Sequence, residues 1–377
     1  MHMSQVWRQV GASAKVVFDN RKQFLDLART RIQLSNSFDR PLDVRIKLST
    51  NVKDKTPTAN LLREYVSRFR SLDIQVPTYK TAASLVSLIG EGKPAPLLER
   101  LDIHVEQRIT VDDDTAFFAF PNAFYPCPRL THLTIPGIPL PVPTAPHFLS
   151  LASLTIDAMT DFDIDVDNIL DVLDSTKDLL HFTYRGTDVF SYSDTSDLDY
   201  PRITSMPRLI SADVSAPGCG LDILRTLDAP LLTNARFDGW RDERFAEEWA
   251  DSLTGPISAS LRRLSERSPN LTHLELHSTK MLNADNDYQW LMSDSAFPRL
   301  EMLRLDAADI TDSSLRLGAG KMGSLKKLEL RACEGVSGDG ILKFAEGRNR
   351  DFELLIDACP SVKPEDLAKL TKIVKVL

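Results

Sequence analysis

The chain has 377 residues, a net charge of -8 and a sequence pI near 5.5, an acidic balance that disfavours nucleic acid or an anionic membrane as partner, since both need a clustered basic surface. Hydrophobic residues at 42% and charged residues at 26% exclude intrinsic disorder. No apolar stretch reaches the ~20 residues that span a bilayer, and residues 1–11 hold no apolar segment of a secretion signal. Cys127, Cys219, Cys333 and Cys359 form neither a C-x-x-C pair nor a zinc spacing, which suits a reducing compartment, cytoplasm or nucleus.

In chain order, residues 6–34 carry helical spacing (Val6, Val10; Phe24, Leu27, Ala28, Ile32, Leu34) and are basic. Residues 41–48 alternate as a strand does. Residues 1–50 are therefore expected to be a helical segment followed by a strand that caps whatever comes next. From there a frame of large-x-x-large-x-large returns every few tens of residues. Its regular copies are Leu98–Leu101–Ile103, Leu130–Leu133–Ile135, Leu151–Leu154–Ile156, Leu271–Leu274–Leu276, Leu300–Leu303–Leu305 and Leu325–Leu328–Leu330. Weaker copies are Phe69–Leu72–Ile74, Leu179–Phe182–Tyr184, Leu209–Ala212–Val214 and Leu232–Ala235–Phe237, with a degenerate eleventh at Phe352 and Leu355.

A period of roughly 20–30 residues headed by L-x-x-L-x-L is the signature of leucine-rich repeats, each supplying one parallel strand and a return. No repeat can bury its apolar face alone, so stacking builds the core. The expected fold is α/β: a leucine-rich-repeat solenoid, or horseshoe, with a parallel sheet on the concave face and helices and turns on the convex face. Residues 51–377 would hold about ten to eleven irregular repeats. Helical returns are predicted over 60–69, 82–89, 166–173 and 258–264. Pro128-Arg129, Pro207-Arg208, Pro269-Asn270 and Pro298-Arg299 stand just before a frame, where proline removes no ladder hydrogen bond. Residues 187–201 read as a polar loop. The segment 239–251 reads as an insertion, with Trp249 packing a helix over 245–253.

Two segments resemble a known family. Leu325-Lys326-Lys327-Leu328-Glu329-Leu330-Arg331-Ala332-Cys333, followed by 336–342, resembles the cysteine-containing repeat of F-box leucine-rich-repeat proteins, with Cys333 capping the turn after the strand and Ala308 and Thr279 at equivalent places. Gln5-Val6-Trp7-Arg8-Gln9-Val10 resembles the V-x-x-x-W-R helix that closes an F-box, and 28–46 the segment that follows it in fungal, basidiomycete-type members. The Leu-Pro and two helices that open an F-box do not precede it, so the resemblance is to a truncated F-box. It implies a substrate receptor of an SCF-type ubiquitin ligase. Val6, Trp7 and Val10 would be the adaptor-facing remnant, and a Skp1-type adaptor would be engaged only with a complete F-box upstream. A stand-alone repeat scaffold is the alternative.

Candidate chemistry is sparse. Asp161, Asp163, Asp165 and Asp167 alternate, but an EF-hand loop starting at Asp161 would need Gly and Glu where Val166 and Val172 stand, so an acidic helix start is expected. His104, His132, His181, His273 and His277 fall at outward strand positions and read as surface residues rather than metal ligands. No nucleophile motif, phosphate loop or cofactor motif is found, so neither an enzyme nor a cofactor or metal site is expected. What remains is a strand face where charges of both signs interleave, the texture of a protein-binding surface. The expected partner site, a protein substrate on the concave face, comprises Arg236, Asp238, Glu275, His277, Arg304, Asp306, Glu329 and Arg331. Trp240 and Trp290, with Tyr288 beside them, are expected at its rim.

Overall fold

The structure, a computed structural model, describes residues 14–19, 33–37, 39–48, 55–106, 117–119, 123–140, 150–158, 164–186, 189–190, 202–216, 220–239, 257–281 and 284–377. The chain divides into two compact units, Met1–Phe162 and Asp163–Leu377.

In the first unit the strands β1 (Ala14–Asp19), β2 (Leu42–Lys47), β3 (Phe69–Val76), β4 (Arg100–Val105), β5 (His132–Ile135) and β6 (Ser153–Ala158) pair in that order, all parallel. Helices α1 (Thr56–Arg63) and α2 (Tyr79–Gly90) make the returns. Residues 14–19, expected within a helical segment, form a strand instead. Val16 and Val17 belong to a β-branched run that packs on a pleated surface, and Val16 is buried while Val17 is exposed. The strand at 42–47 is therefore flanked on both sides.

The second unit runs β7 (His181–Gly186), β8 (Ser211–Ser215), β9 (Asn234–Asp238), β10 (His273–His277), β11 (Met302–Asp306), β12 (Lys327–Arg331), β13 (Glu353–Asp357) and β14 (Lys375–Val376), again parallel and sequential. Helices α3 (Val166–Asp174), α4 (Gly220–Thr226), α5 (Ile257–Arg267), α6 (Ala284–Leu291), α7 (Asp312–Leu317), α8 (Gly338–Ala345) and α9 (Pro364–Leu370) stand among its returns. Part of the expected loop at 187–201 is a short strand, Val189–Phe190, paired with Ile164–Asp165.

All ten frames lie on strands of these sheets with their inward residues buried. Leu101, Leu133 and Leu154 line up in the first unit; Ala235, Leu274, Leu303 and Leu328 in the second. Each leucine removed from water contributes about 1.5–3 kcal/mol. The eleventh frame is shifted by one residue: Leu354 pairs with Leu328 and is buried, whereas Leu355 stands beside Glu329 on the outer face. Because side chains alternate, one deleted spacer residue exchanges the faces.

The prolines have a defined job. The N–H groups of Leu98, Leu130, Leu209, Leu232, Leu271 and Leu300 donate to the carbonyl three residues earlier, at 3.0–3.2 Å. That places Pro96, Pro128, Pro207, Pro230, Pro269 and Pro298 at the second position of a tight turn, where their fixed φ is already correct. At the other strand end Ser278, Ala307, Ala332 and Ala358, each the residue after β10 to β13, adopt φ of 47–52°. Small side chains occupy this corner because left-handed backbone crowds a larger Cβ. Helices are tied from repeat to repeat by caps: Thr311 Oγ1 donates to Asp285, and the Ser337 hydroxyl and N–H both donate to Asp312. The Asp312 carboxylate leaves room only for glycine at Gly340, where a Cβ would lie 2.1 Å from it.

Candidate functional site

With hydrophobic residues turned inward, the alternate residues of β7 to β13 compose an outer face in three rows. The central row reads Thr183, Asp213, Arg236, Glu275, Arg304, Glu329 and Leu355. From Asp213 to Glu329 the sign alternates at every strand. The next row reads Arg185, Ser215, Asp238, His277, Asp306, Arg331 and Asp357. Opposite charges at laterally paired positions stabilise a sheet, and like charges there destabilise it.

Arg304 is the hub. Its guanidinium lies 3.1 Å from Asp306, 3.6 Å from Glu275 and 3.8 Å from Glu329. Glu329 also takes Lys327 at 2.7 Å and Arg331 at 3.4 Å. His277 lies between Glu275, 3.1 Å from Nε2, and Asp306, 3.5 Å from Nδ1. At the near end Arg236 reaches Asp213 at 3.8 Å and Asp238 at 3.9 Å. The hydrogen bond with His277, aided by Arg304, holds the Glu275 carboxyl below the usual carboxylate range against its burial. Burial pushes Asp213 the other way, above that range, despite Arg236 and Arg185.

Eight of the ten expected partner-site residues are thus brought together. Four features differ from expectation. His277 and Glu329 are buried rather than exposed, covered by the ion pairs around them. Arg331 does not continue the row of Arg236 and Arg304 but stands in the next one, beside Asp306. Trp290 belongs to the helical layer: it packs edge-on to Phe297 at 6.1 Å, with the Arg262 guanidinium 4.4 Å above its ring. Tyr288 is fully buried, its hydroxyl donating to Asp309, so it is a core residue. Trp240, Trp249, Val6, Trp7 and Val10 lie outside the described residues. Asp213 and Lys327 complete the network and were not singled out from sequence, although both occupy outward frame positions.

The remaining histidines, His104, His132, His181 and His273, are exposed as expected. Asp161 and Asp163 lie outside the described residues. Asp167 sits in the first turn of α3, where Arg202 bridges it to Asp171 and Asp174. Among the described residues no group of three or more His, Cys, Asp or Glu is placed to hold a metal ion. No helix among them is long and apolar enough to cross a membrane.

The first unit presents its own outer face, with an open depression of about 520 Å³ flanked by Lys15, Arg45, Arg70 and Arg100 and by Asp43 and Asp73. Here Asp73 and Asp102 are direct neighbours. Arg45 neutralises the first at 2.6 Å and Arg100 the second at 2.5 Å, while Thr134 donates to Asp102. Asp102 is buried beneath these partners.

No protein-family model matches the chain, and no curated protein matches it. Among solved structures it is similar to a Bacteroides fragilis protein determined as a structural-genomics target, at 15% identity and a TM-score of 0.39, covering 88% of this chain and 73% of that one.

Proposed function

We propose that the chain is a non-catalytic protein-binding leucine-rich-repeat module whose partner lies on the outer strand face of the second unit. The observation that carries this reading is the charge lattice from Asp213 to Arg331, its central row running across five strands and its second row across four, exposed at Arg236 and partly exposed at Asp238 and Asp306. A surface of both signs at fixed strand spacing favours a partner of matching polar pattern and repels a uniformly charged polymer.

Arg304 holds the lattice together, so a test that removes it would confound binding with folding. The informative variant is Arg236→Glu with Arg331→Glu, compared with Arg45→Glu in the first unit. Partners are captured by the intact chain, identified by mass spectrometry, and titrated against each variant. Weakening of ten-fold or more by the paired change alone is expected, as for residues at a binding centre. Unchanged affinity, or loss only on altering residues near Asp102 and His104, overturns the assignment.

The resemblance at residues 5–10 and at Cys333 further suggests the substrate-recognition part of an SCF-type ubiquitin ligase, working in cytoplasm or nucleus. Because a Skp1-type adaptor is expected only with a complete F-box upstream, the test is co-purification with a form of the chain that carries such a segment: capture of the adaptor supports that role, and its absence there favours the stand-alone scaffold.

A further inference from the structure

Arg331-Ala332-Cys333 and Asp357-Ala358-Cys359 are the same corner of two consecutive repeats. Arg331 pairs with Asp357, Ala332 and Ala358 share left-handed backbone at φ 47° and 52°, and the Ala332 N–H donates to the Asp357 carbonyl at 2.9 Å. The ladder thus extends past the strand ends and sets Cys333 and Cys359 side by side. Equivalent positions on adjacent parallel strands lie about 4.8 Å apart, within the ~4.4–6.8 Å between Cα atoms that a disulfide spans. Both thiols are buried and unoxidised. Each also points at strand-end carbonyls: Cys333 at Arg331 and Leu305, 3.2 and 3.6 Å, Cys359 at Asp357 and Leu330, both 3.6 Å.

We propose that Cys333 and Cys359 form an oxidisable dithiol that closes reversibly to a disulfide between the last two full repeats, with a small hydroperoxide as oxidant. The Cys359 thiolate attacks the distal peroxide oxygen, the O–O bond breaks, and Cys359 becomes a sulfenic acid as the other oxygen leaves, protonated, as water or alcohol. The Cys333 sulfur then displaces the sulfenic oxygen, which leaves as water with the Cys333 proton. Two thiols and one hydroperoxide thus give one disulfide, one water and one water or alcohol.

The two groups are unequal in a way that sets this order. The interaction between the two thiols lowers Cys359 below the ordinary thiol range, against burial and Asp357, whereas the same interaction and burial raise Cys333. Cys359 is also the less buried of the two, 7% exposed against 0%. Cys127, by contrast, is buried and pushed up to about 11, so it serves as an internal control.

Hydrogen peroxide is added to the full chain, and the digest is mapped without reduction. The expected product is a peptide joining Cys333 to Cys359, reversed by dithiothreitol, with Cys127 left as a thiol. Closing this loop is expected to raise the unfolding midpoint by on the order of 5–10 °C. In Cys333→Ser, Cys359 is expected to be trapped by dimedone as sulfenic acid; in Cys359→Ser, Cys333 stays reduced. Should either variant not fold, peptide mapping of the unaltered chain decides. Absence of the cross-linked peptide, over-oxidation of Cys359 in its place, or linkage only between two chains overturns the proposal.

Discussion

The central outer rows of the two units share one backbone geometry and differ in the order of their charges. In the second unit Asp213, Arg236, Glu275, Arg304 and Glu329 alternate, so each charge meets its opposite on the next strand. In the first, Arg45 faces Asp73 within the row, but Asp73 and Asp102 adjoin, and Arg100 reaches Asp102 from the neighbouring row. The consequence is read in exposure. The Arg304 side chain is 22% exposed, whereas those of Arg45 and Arg100 are 52% and 59% exposed. An unbroken sign order thus goes with a cation drawn further out of water at Arg304, and partly desolvated pairs weigh more on stability than solvent-screened ones.

The largest effect expected is one the two units share. Leu303→Asp and Leu133→Asp each place an unpaired charge in the core and should cost about 3–5 kcal/mol. Thermal unfolding measures it; an unchanged midpoint in either would show that unit's frame is not its core. The units should then part company at their faces. Glu329→Ala strips Lys327, Arg331 and Arg304 of a carboxylate that is only 7% exposed. It should cost about 2 kcal/mol, less than a fully buried pair because its cations retain water. Arg45→Ala should cost at most about 1 kcal/mol. Equal costs in chemical denaturation would remove the contrast.

The smallest effect is a titration. Glu275, lowered by His277 and Arg304, contributes stability that is present above the unfolded value near ~4.3 and is lost as pH falls through its folded pKa. Asp213, raised by burial, acts oppositely: its penalty is full at neutral pH and is relieved as pH falls through its folded pKa. Carboxyl NMR should place them on opposite sides of the ordinary value. His277→Ala should move Glu275 upward and leave Asp213 where it is. A Glu275 that titrates normally in the unaltered chain would mean that the network is not formed in solution.

The core was legible because burial leaves a periodic trace: Leu274, Leu303 and Leu328 repeat at one frame position, and all are buried. The outer rows were legible as positions but not as environments. His277 and Glu329 each have partners two residues away on their own strand, but Asp306 and Arg304 on β11 also cover them, and those depend on register across repeats. Trp290 misled for a related reason, because an aromatic between two strands can serve a helix layer as readily as a rim. At 14–19 a short apolar run carries both periods, and only its pairing with β2 selects the strand. The Cys333 and Cys359 pairing did have a signal, the repeated Ala-Cys dipeptide at one frame position.

The alternating rows give the second unit a parity. Among the described residues the strands of this unit are entered by a self-closed turn and pass one ladder to the next, so one repeat could be excised without orphaning a ladder hydrogen bond. Excising the repeat of β10 alone would set Arg236 beside Arg304 and Asp238 beside Asp306, two like-charge contacts at once. Excising those of β10 and β11 together would set Arg236 beside Glu329 and Asp238 beside Arg331, restoring both rows. The backbone counts by single repeats and the electrostatics count by twos, so duplication or loss in this array is tolerated in even steps.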